Sequence, residues 1–329
     1  MSYTSLPLSA RLLVALGPPA TILATASVSP RAALFTPLAF LPTAWFYKKW
    51  QQRINNESTK SEKESSESEL EPESQLEPLV WTFAAASTLG ITTAAATQGA
   101  ICVLASKLLF PSQDVRRTFW EEFRRASIAD LTAGELASRT QLASSWQNWA
   151  FNAVLAFLAA GLIEEIIKFL PVVYARKKKA SKSKRKSNTY VDYAIAGALG
   201  FSLAEQIGFI YVACEPGHET GWILVRTLAE RAVGSLGHLL VAWLTALRAR
   251  DQRTTDGNDS MPWWKVVGPS ALLHGMSDMI VFSASAVAGN VGFIHPSGSL
   301  AVAMIGLAGS VWSVAGWMVR RELQYASTV

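Results

Sequence analysis

From Tyr190 to Val319 the chain is a succession of apolar runs, each about as long as a helix that crosses a bilayer. They are Tyr190–Ala213, Trp222–Leu247, Val266–Ala288 and Leu300–Val319. A helix rises ~1.5 Å per residue and hydrocarbon is ~30 Å thick, so about 20 apolar residues make one crossing. Four further runs precede them, at Ala10–Ser27, Ala32–Phe46, Val80–Phe110 and Phe151–Tyr174. The first two are short and carry proline, which also fits a hairpin that barely spans. Of 329 residues, half are hydrophobic and 17% are Asp, Glu, Lys or Arg, against about 25% in a soluble domain. The number of runs argues against a large soluble helical protein. The sequence therefore predicts an all-α, polytopic transmembrane helical bundle of about eight spans.

The material between the runs divides the chain. Residues 1–47 read as an N-terminal membrane hairpin. Residues 48–79 read as an acidic, disordered cytoplasmic linker, since "STKSEKESSESELEPESQLEP" is rich in Glu and Ser and has no aromatic residue. Residues 80–150 hold the third span and an opposite-side loop. In that loop "DVRRTFWEEFRRASIADL" sets Phe119, Trp120 and Phe123 among charges, as a helix lying on the membrane interface would. Residues 151–288 form the core. Residues 289–329 supply the last span and a cytoplasmic tail.

The formal charge of +5 does not point to nucleic acid. Much of the excess lies in "RKKKASKSKRK" at Arg176–Lys186, directly after an apolar run. A juxtamembrane cytoplasmic loop explains that placement, and it suits contact with anionic lipid. Lys48, Lys49, Arg53, Arg248, Arg250, Arg253, Arg320 and Arg321 fall on the same side if eight spans exist. The loops "CEPGHETG" and "GNVGFIHPSG" on the other side lack Lys and Arg. This places both termini in the cytoplasm; the organelle is not legible. No stretch reads as a cleavable signal peptide, and the first apolar segment serves as the targeting signal. Cys102 and Cys214 lie in different regions and form neither a disulfide framework nor a CxxC metal site.

Against this apolar background a few ionisable residues stand out. Glu164 and Glu165 sit inside "AAGLIEEIIKFLPVV", with Lys168 close behind. Glu205, His238, and the pair His274 and Asp278 occupy the next three spans at similar depth. A charge at the bilayer centre costs ~3 kcal/mol or more, so such groups face a polar interior or one another. Glu164 and Lys168, and His274 and Asp278, are four apart and share a helix face. Arg231 and His238, seven apart, return to nearly the same face. Ala159, Ala160, Gly161, Gly197, Gly200, Gly208, Gly234, Gly237 and Gly275 crowd the set and allow close helix approach. Three readings stay open on these residues alone. They could form a structural polar network, a proton or ion pathway, or a hydrolytic site. In the last, two imidazoles and carboxylates hold a divalent metal such as zinc while another carboxylate activates water.

The same residues carry a resemblance. "EEIIK" at Glu164–Lys168 resembles the EExxK motif of the PrsW-like intramembrane proteases. "FSLAE" at Phe201–Glu205 resembles their FxxxE motif. His238 follows Arg231 in the next span, as in that family, and "HGMSD" at His274–Asp278 resembles their HxxxD-type motif. The related CAAX-processing proteases carry EExxxR and FxxxH instead. Lys168, one place earlier than that arginine, and Glu205, in place of that histidine, set this chain apart from them. The resemblance covers Phe151–Ala288 and implies an intramembrane peptidase. It would be metal-dependent and would cut integral membrane-protein substrates within or near the bilayer.

Peptide hydrolysis needs an activated water and stabilisation of the carbonyl oxygen. On that basis Glu165 is expected as general base, with Glu164 its neighbour held by Lys168. His238, His274 and Glu205 are the expected metal ligands, and Asp278 binds metal or orients His274. Phe201 and Arg231 are supporting residues. The competing classes are a proton- or ion-coupled transporter and a noncatalytic membrane scaffold or receptor. His218 and His295 read as loop histidines. Arg226 and Glu230 read as an interfacial pair, and Trp149, Trp222, Trp263 and Trp264 as interfacial anchors.

Overall fold

A computed structural model describes residues 6–64, 76–125, 127–180, 189–214, 221–251 and 262–328. Among the described residues the regular structure is helical, with no strand. The elements are α1 (Leu8–Val28), α2 (Pro30–Ala39), α3 (Leu41–Glu64), α4 (Leu76–Ala85), α5 (Ile91–Leu109), α6 (Gln113–Phe123), α7 (Ala133–Ser144) and α8 (Trp146–Ala153). They continue with α9 (Ile163–Ala180), α10 (Thr189–Ala213), α11 (Gly221–Asp251), α12 (Trp263–Val287) and α13 (Gly298–Thr328). Wider π-helical segments at Ala86–Gly90 and Val154–Leu162 join α4 to α5 and α8 to α9.

Six helical stretches among the described residues are long and apolar enough to cross a membrane: Leu8–Val28, Leu76–Leu109, Tyr190–Ala213, Leu224–Ala249, Trp263–Val287 and Gly298–Tyr325. Their outer faces are greasy: Leu23 is 69% exposed, Leu108 83% and Val302 72%. In water that surface would be costly; in lipid it is expected. The chain is an integral membrane protein.

The count of about eight spans is corrected to six. The expected second span, Ala32–Phe46, is cut at Phe40, so α2 has only 10 residues. Pro30 begins α2 and the Ser29 hydroxyl caps it by accepting from the Ala32 N–H at 3.2 Å. The expected fourth span, Phe151–Tyr174, is helical but carries Glu164, Glu165 and Lys168 and passes through the π segment. Packing nonetheless sets it beside α12. A Cβ on Gly161 would lie 2.6 Å from the Ala271 carbonyl, and one on Gly275 2.5 Å from the Phe157 ring. Advancing from Phe157 to Gly161 moves the partner back from Gly275 to Ala271, so this segment runs antiparallel along the α12 span.

The described chain forms two compact units. The first comprises Met1–Ile91 and Ile195–Ser235, and the expected core 151–288 is therefore shared between the two. In this unit Ala32, Leu203, Ile210 and Leu224 pack with Phe83. Gly200 abuts the Phe83 carbonyl with no room for a Cβ. α3 continues to Glu64, so helix reaches into the stretch expected as a disordered linker; residues 65–75 lie outside the described residues.

The second unit comprises Thr92–Ala194 and Leu236–Val329. α12 is its axis, packed by α8, the π segment, α9 and α13. Val241, Leu244, Leu273, Val311 and Trp312 fill one core. Phe119 stacks on Phe110 at 4.3 Å and meets Phe151 edge-on at 4.8 Å in another. The apolar face of α6, expected to lie on the membrane interface, is turned inward onto this cluster. Arg139 is buried and fixes α7 in place. It donates to the Glu122 carboxylate, the Asn290 side chain (3.3 Å) and the Val291 carbonyl (2.8 Å).

Candidate metal centre

The ionisable residues of the second unit meet inside it. Glu164, Glu165, Lys168, His238 and His274 are all buried. α9 supplies the first three on adjoining faces of one turn, α11 supplies His238, and α12 supplies His274. Lys168 Nζ donates to Glu164 Oε2 at 3.1 Å and to Glu165 Oε1 at 3.0 Å, and lies 2.7 Å from His238 Nδ1. His274 Nδ1 lies 3.0 Å from Glu165 Oε1, and its Nε2 lies 3.9 Å from Glu164 Oε2. The two imidazoles pack edge to face with centroids 5.1 Å apart. Asp278, one turn beyond His274, reaches within 3.6 Å of the same Nε2.

One ligand atom each from Glu164, His238 and His274 falls within a mutual 4.8 Å. Two imidazoles and a carboxylate are a donor set that suits zinc in open, catalytic sites. Charge agrees: two carboxylates against one ammonium leave the cluster formally negative, which favours a divalent cation. The pocket already holds the positive charge of Lys168 against these acceptors. The residues therefore fit a divalent metal.

The carboxylate that stands with the two imidazoles in the second unit is Glu164. Glu205 and Arg231 belong to the first unit, where they lie 3.5 Å apart, and the Arg231 guanidinium sits 3.9 Å from the centre of the Phe209 ring. Phe201 is buried in that unit. Arg226 and Glu230 form the expected pair at 3.0 Å. His218 lies outside the described residues.

Sequence reading missed Gln98. It stands in the Ala- and Thr-rich stretch "TTAAATQGAICV" of α5, where an amide between small residues was the available signal. Its Nε2 donates to Glu164 Oε1 at 2.8 Å and to the Ala159 carbonyl at 3.2 Å. The π segment before Glu164 was also missed, because no residue type marks it.

These features define a polytopic helical membrane protein with a carboxylate–imidazole centre buried among its helices. A family model described as the PrsW family intramembrane metalloprotease matches residues 78–308, and the chain belongs to that family. No curated protein and no solved structure matches the chain.

Proposed function

We propose that the protein is a metal-dependent intramembrane endopeptidase that cuts integral membrane-protein substrates within or near the bilayer. The observation that carries this reading is the buried Glu164–His238–His274 group, with ligand atoms within 4.8 Å of one another. These three residues would hold the metal, with zinc the favoured ion. When bound, such a cation supplies Lewis-acid polarisation of a peptide carbonyl.

The chain's own residues take the remaining roles. Glu165 is the general base; His274 and Lys168 both approach its Oε1, which leaves Oε2 to take the proton of an attacking water. The same carboxylate orients the His274 ring through Nδ1. Lys168 holds Glu164 and Glu165 side by side and balances their charge. Asp278, within 3.6 Å of the same His274 Nε2, stands where it could join the ligand set. Glu205, Arg231 and Phe201 take supporting roles within the first unit. The basic stretch at Arg176–Lys186 lies in the cytoplasm against anionic lipid, and both termini share that side; residues 181–188 lie outside the described residues.

The test is cleavage by the purified full-length protein in vesicles, using a set of single-span membrane peptides. Wild type should cleave, and Glu165→Gln should lose at least about 100-fold in rate, the scale of a general base, while staying folded. Full-rate cleavage by Glu165→Gln would remove the mechanism. Proton-linked flux of solute without cleavage would favour a transporter instead.

A further inference from the structure

The turn that presents Glu164 is not an ordinary α-helical turn. In an α-helix the Ile163 N–H would bond the carbonyl four residues back, that of Ala159. Here it reaches the carbonyls of Leu158 and Ala160 and skips Ala159. The released carbonyl is taken up from another helix: Gln98 Nε2 on α5 lies 3.2 Å from Ala159 O. The same nitrogen lies 2.8 Å from Glu164 Oε1. A carboxamide nitrogen carries two hydrogens, one for each acceptor. Both partners only accept, so the amide must present its nitrogen here and not its oxygen.

We infer that Gln98 is a positioning residue for the metal centre: its side-chain amide pins the widened turn at Ala159 and holds Glu164 with Oε2 turned toward His274. This inference rests on Glu164 being a metal ligand. The division of labour on the carboxylate supports it. Oε1 is engaged by Gln98, while Oε2 faces Lys168 at 3.1 Å and His274 Nε2 at 3.9 Å. π turns recur in helices at functional sites, where the extra residue re-aims a side chain. Hydrogen bonds from outside the ligand set orient ligating carboxylates, and their loss costs metal affinity. Without Gln98 the Ala159 carbonyl loses that donor, and Glu164 is free to rotate about its side-chain bonds.

The experiment measures Zn²⁺ affinity of the full-length protein in detergent by chelator competition, with no substrate present. Four forms are compared with wild type: Gln98→Leu, Glu164→Ala, their double mutant, and Thr97→Val. Thr97 neighbours Gln98 but bonds only its own helix, at the Thr93 carbonyl. Gln98→Leu should weaken Zn²⁺ by about 10–100-fold, the usual effect of losing such a partner. In the Glu164→Ala background it should cost nothing further, because Gln98 acts through Glu164. Thr97→Val should bind as wild type. If Gln98→Leu does not fold, Gln98→Met keeps the length of the side chain without its amide, and must weaken Zn²⁺ as well. Unchanged affinity in a folded Gln98 variant, or equal losses with and without Glu164, overturns the inference and leaves the metal centre standing. No Zn²⁺ on wild type overturns the metal centre and this inference together.

Discussion

His274 and Glu165, on different helices and 109 positions apart, meet at 3.0 Å through Nδ1 and Oε1. A carboxylate oxygen only accepts, so the hydrogen lies on Nδ1. In the neutral ring the free lone pair is then on Nε2, the nitrogen that faces Glu164 Oε2. One contact therefore fixes both the orientation and the tautomer of a ligand, as carboxylates do for metal-binding histidines.

Removal of the metal should follow from the loss of either imidazole. His238→Ala and His274→Ala should each lower Zn²⁺ per protein well below that of wild type, measured by elemental analysis after dialysis. Chelator-treated wild type should lose cleavage and regain it with added Zn²⁺. Glu205→Ala should keep its metal, because Glu164 is the carboxylate that stands with the two imidazoles. Metal lost from Glu205→Ala but kept in Glu164→Ala would restore the ligand set expected from the sequence.

Lys168 is the counter-charge for two buried carboxylates. Lys168→Met keeps the length of the side chain and removes the ammonium, leaving Glu164 and Glu165 without their shared cation. Breaking a buried ion pair from one side costs ~3–5 kcal/mol. The apo variant should therefore unfold at a clearly lower temperature than apo wild type. Saturating Zn²⁺ should narrow that gap, because a ligand that binds only the folded state stabilises it. Equal melting of the two apo proteins would show that the ammonium is not what holds the pair together.

The sequence disclosed the class and most of this centre because lipid makes charge conspicuous. Glu164, Glu165, Lys168, His238 and His274 were legible as ionisable groups where none belongs without a partner. Which carboxylate joins the imidazoles was not legible. Glu164 and Glu205 both stand mid-run, and their partners come from other helices. Helix periodicity placed Lys168 beside Glu164 but did not reveal that it also reaches Glu165 and His238. Span counting failed where composition and packing diverge. Ala32–Phe46 is apolar enough but breaks at Phe40. Phe151–Tyr174 packs along α12 through Gly161 and Gly275, but Glu164, Glu165, Lys168 and the π segment keep it out of the six apolar helices.

A third test concerns the contact between α6 and α7. Burial pushes the Glu122 carboxyl up, but hydrogen bonds from Arg125 and Arg139 outweigh it and hold the group below the usual carboxylate value. A lowered folded-state pKa stabilises the fold above the unfolded value, near pH 4.5, and that contribution is lost as pH falls through the folded value. Wild type should thus lose stability in acid through this pair. Glu122→Gln should be less stable than wild type at neutral pH, and the gap should close as pH falls through the lowered folded-state value. Urea unfolding across that range, followed by tryptophan fluorescence, measures it. A gap independent of pH would show that packing, not charge, makes the difference.

The membrane topology can be tested without a substrate. Two N-x-S sequons occur, at Asn56–Ser58 and Asn258–Ser260, each close to basic residues. The positive-inside rule puts both in the cytoplasm, so neither should carry sugar in a host that glycosylates; Asn258 lies outside the described residues. A sequon engineered into the turn between α6 and α7, at residues 129–131, tests whether the Phe151–Tyr174 segment, which runs antiparallel along the α12 span, adds a seventh crossing: sugar there shows that it crosses, and a bare site holds the count at six. Sugar on Asn258 would invert the half that carries the centre and move Arg176–Lys186 out of the cytoplasm. The first helices are decided separately. α2 is too short to return across the bilayer, so a sequon placed ahead of Leu8 asks whether α1 crosses alone. The expectation that both termini are cytoplasmic requires it to stay unmodified. Its modification, with Asn56 and Asn258 bare, would put the N-terminus outside, leave α1 as a single crossing, and keep the metal centre's topology intact.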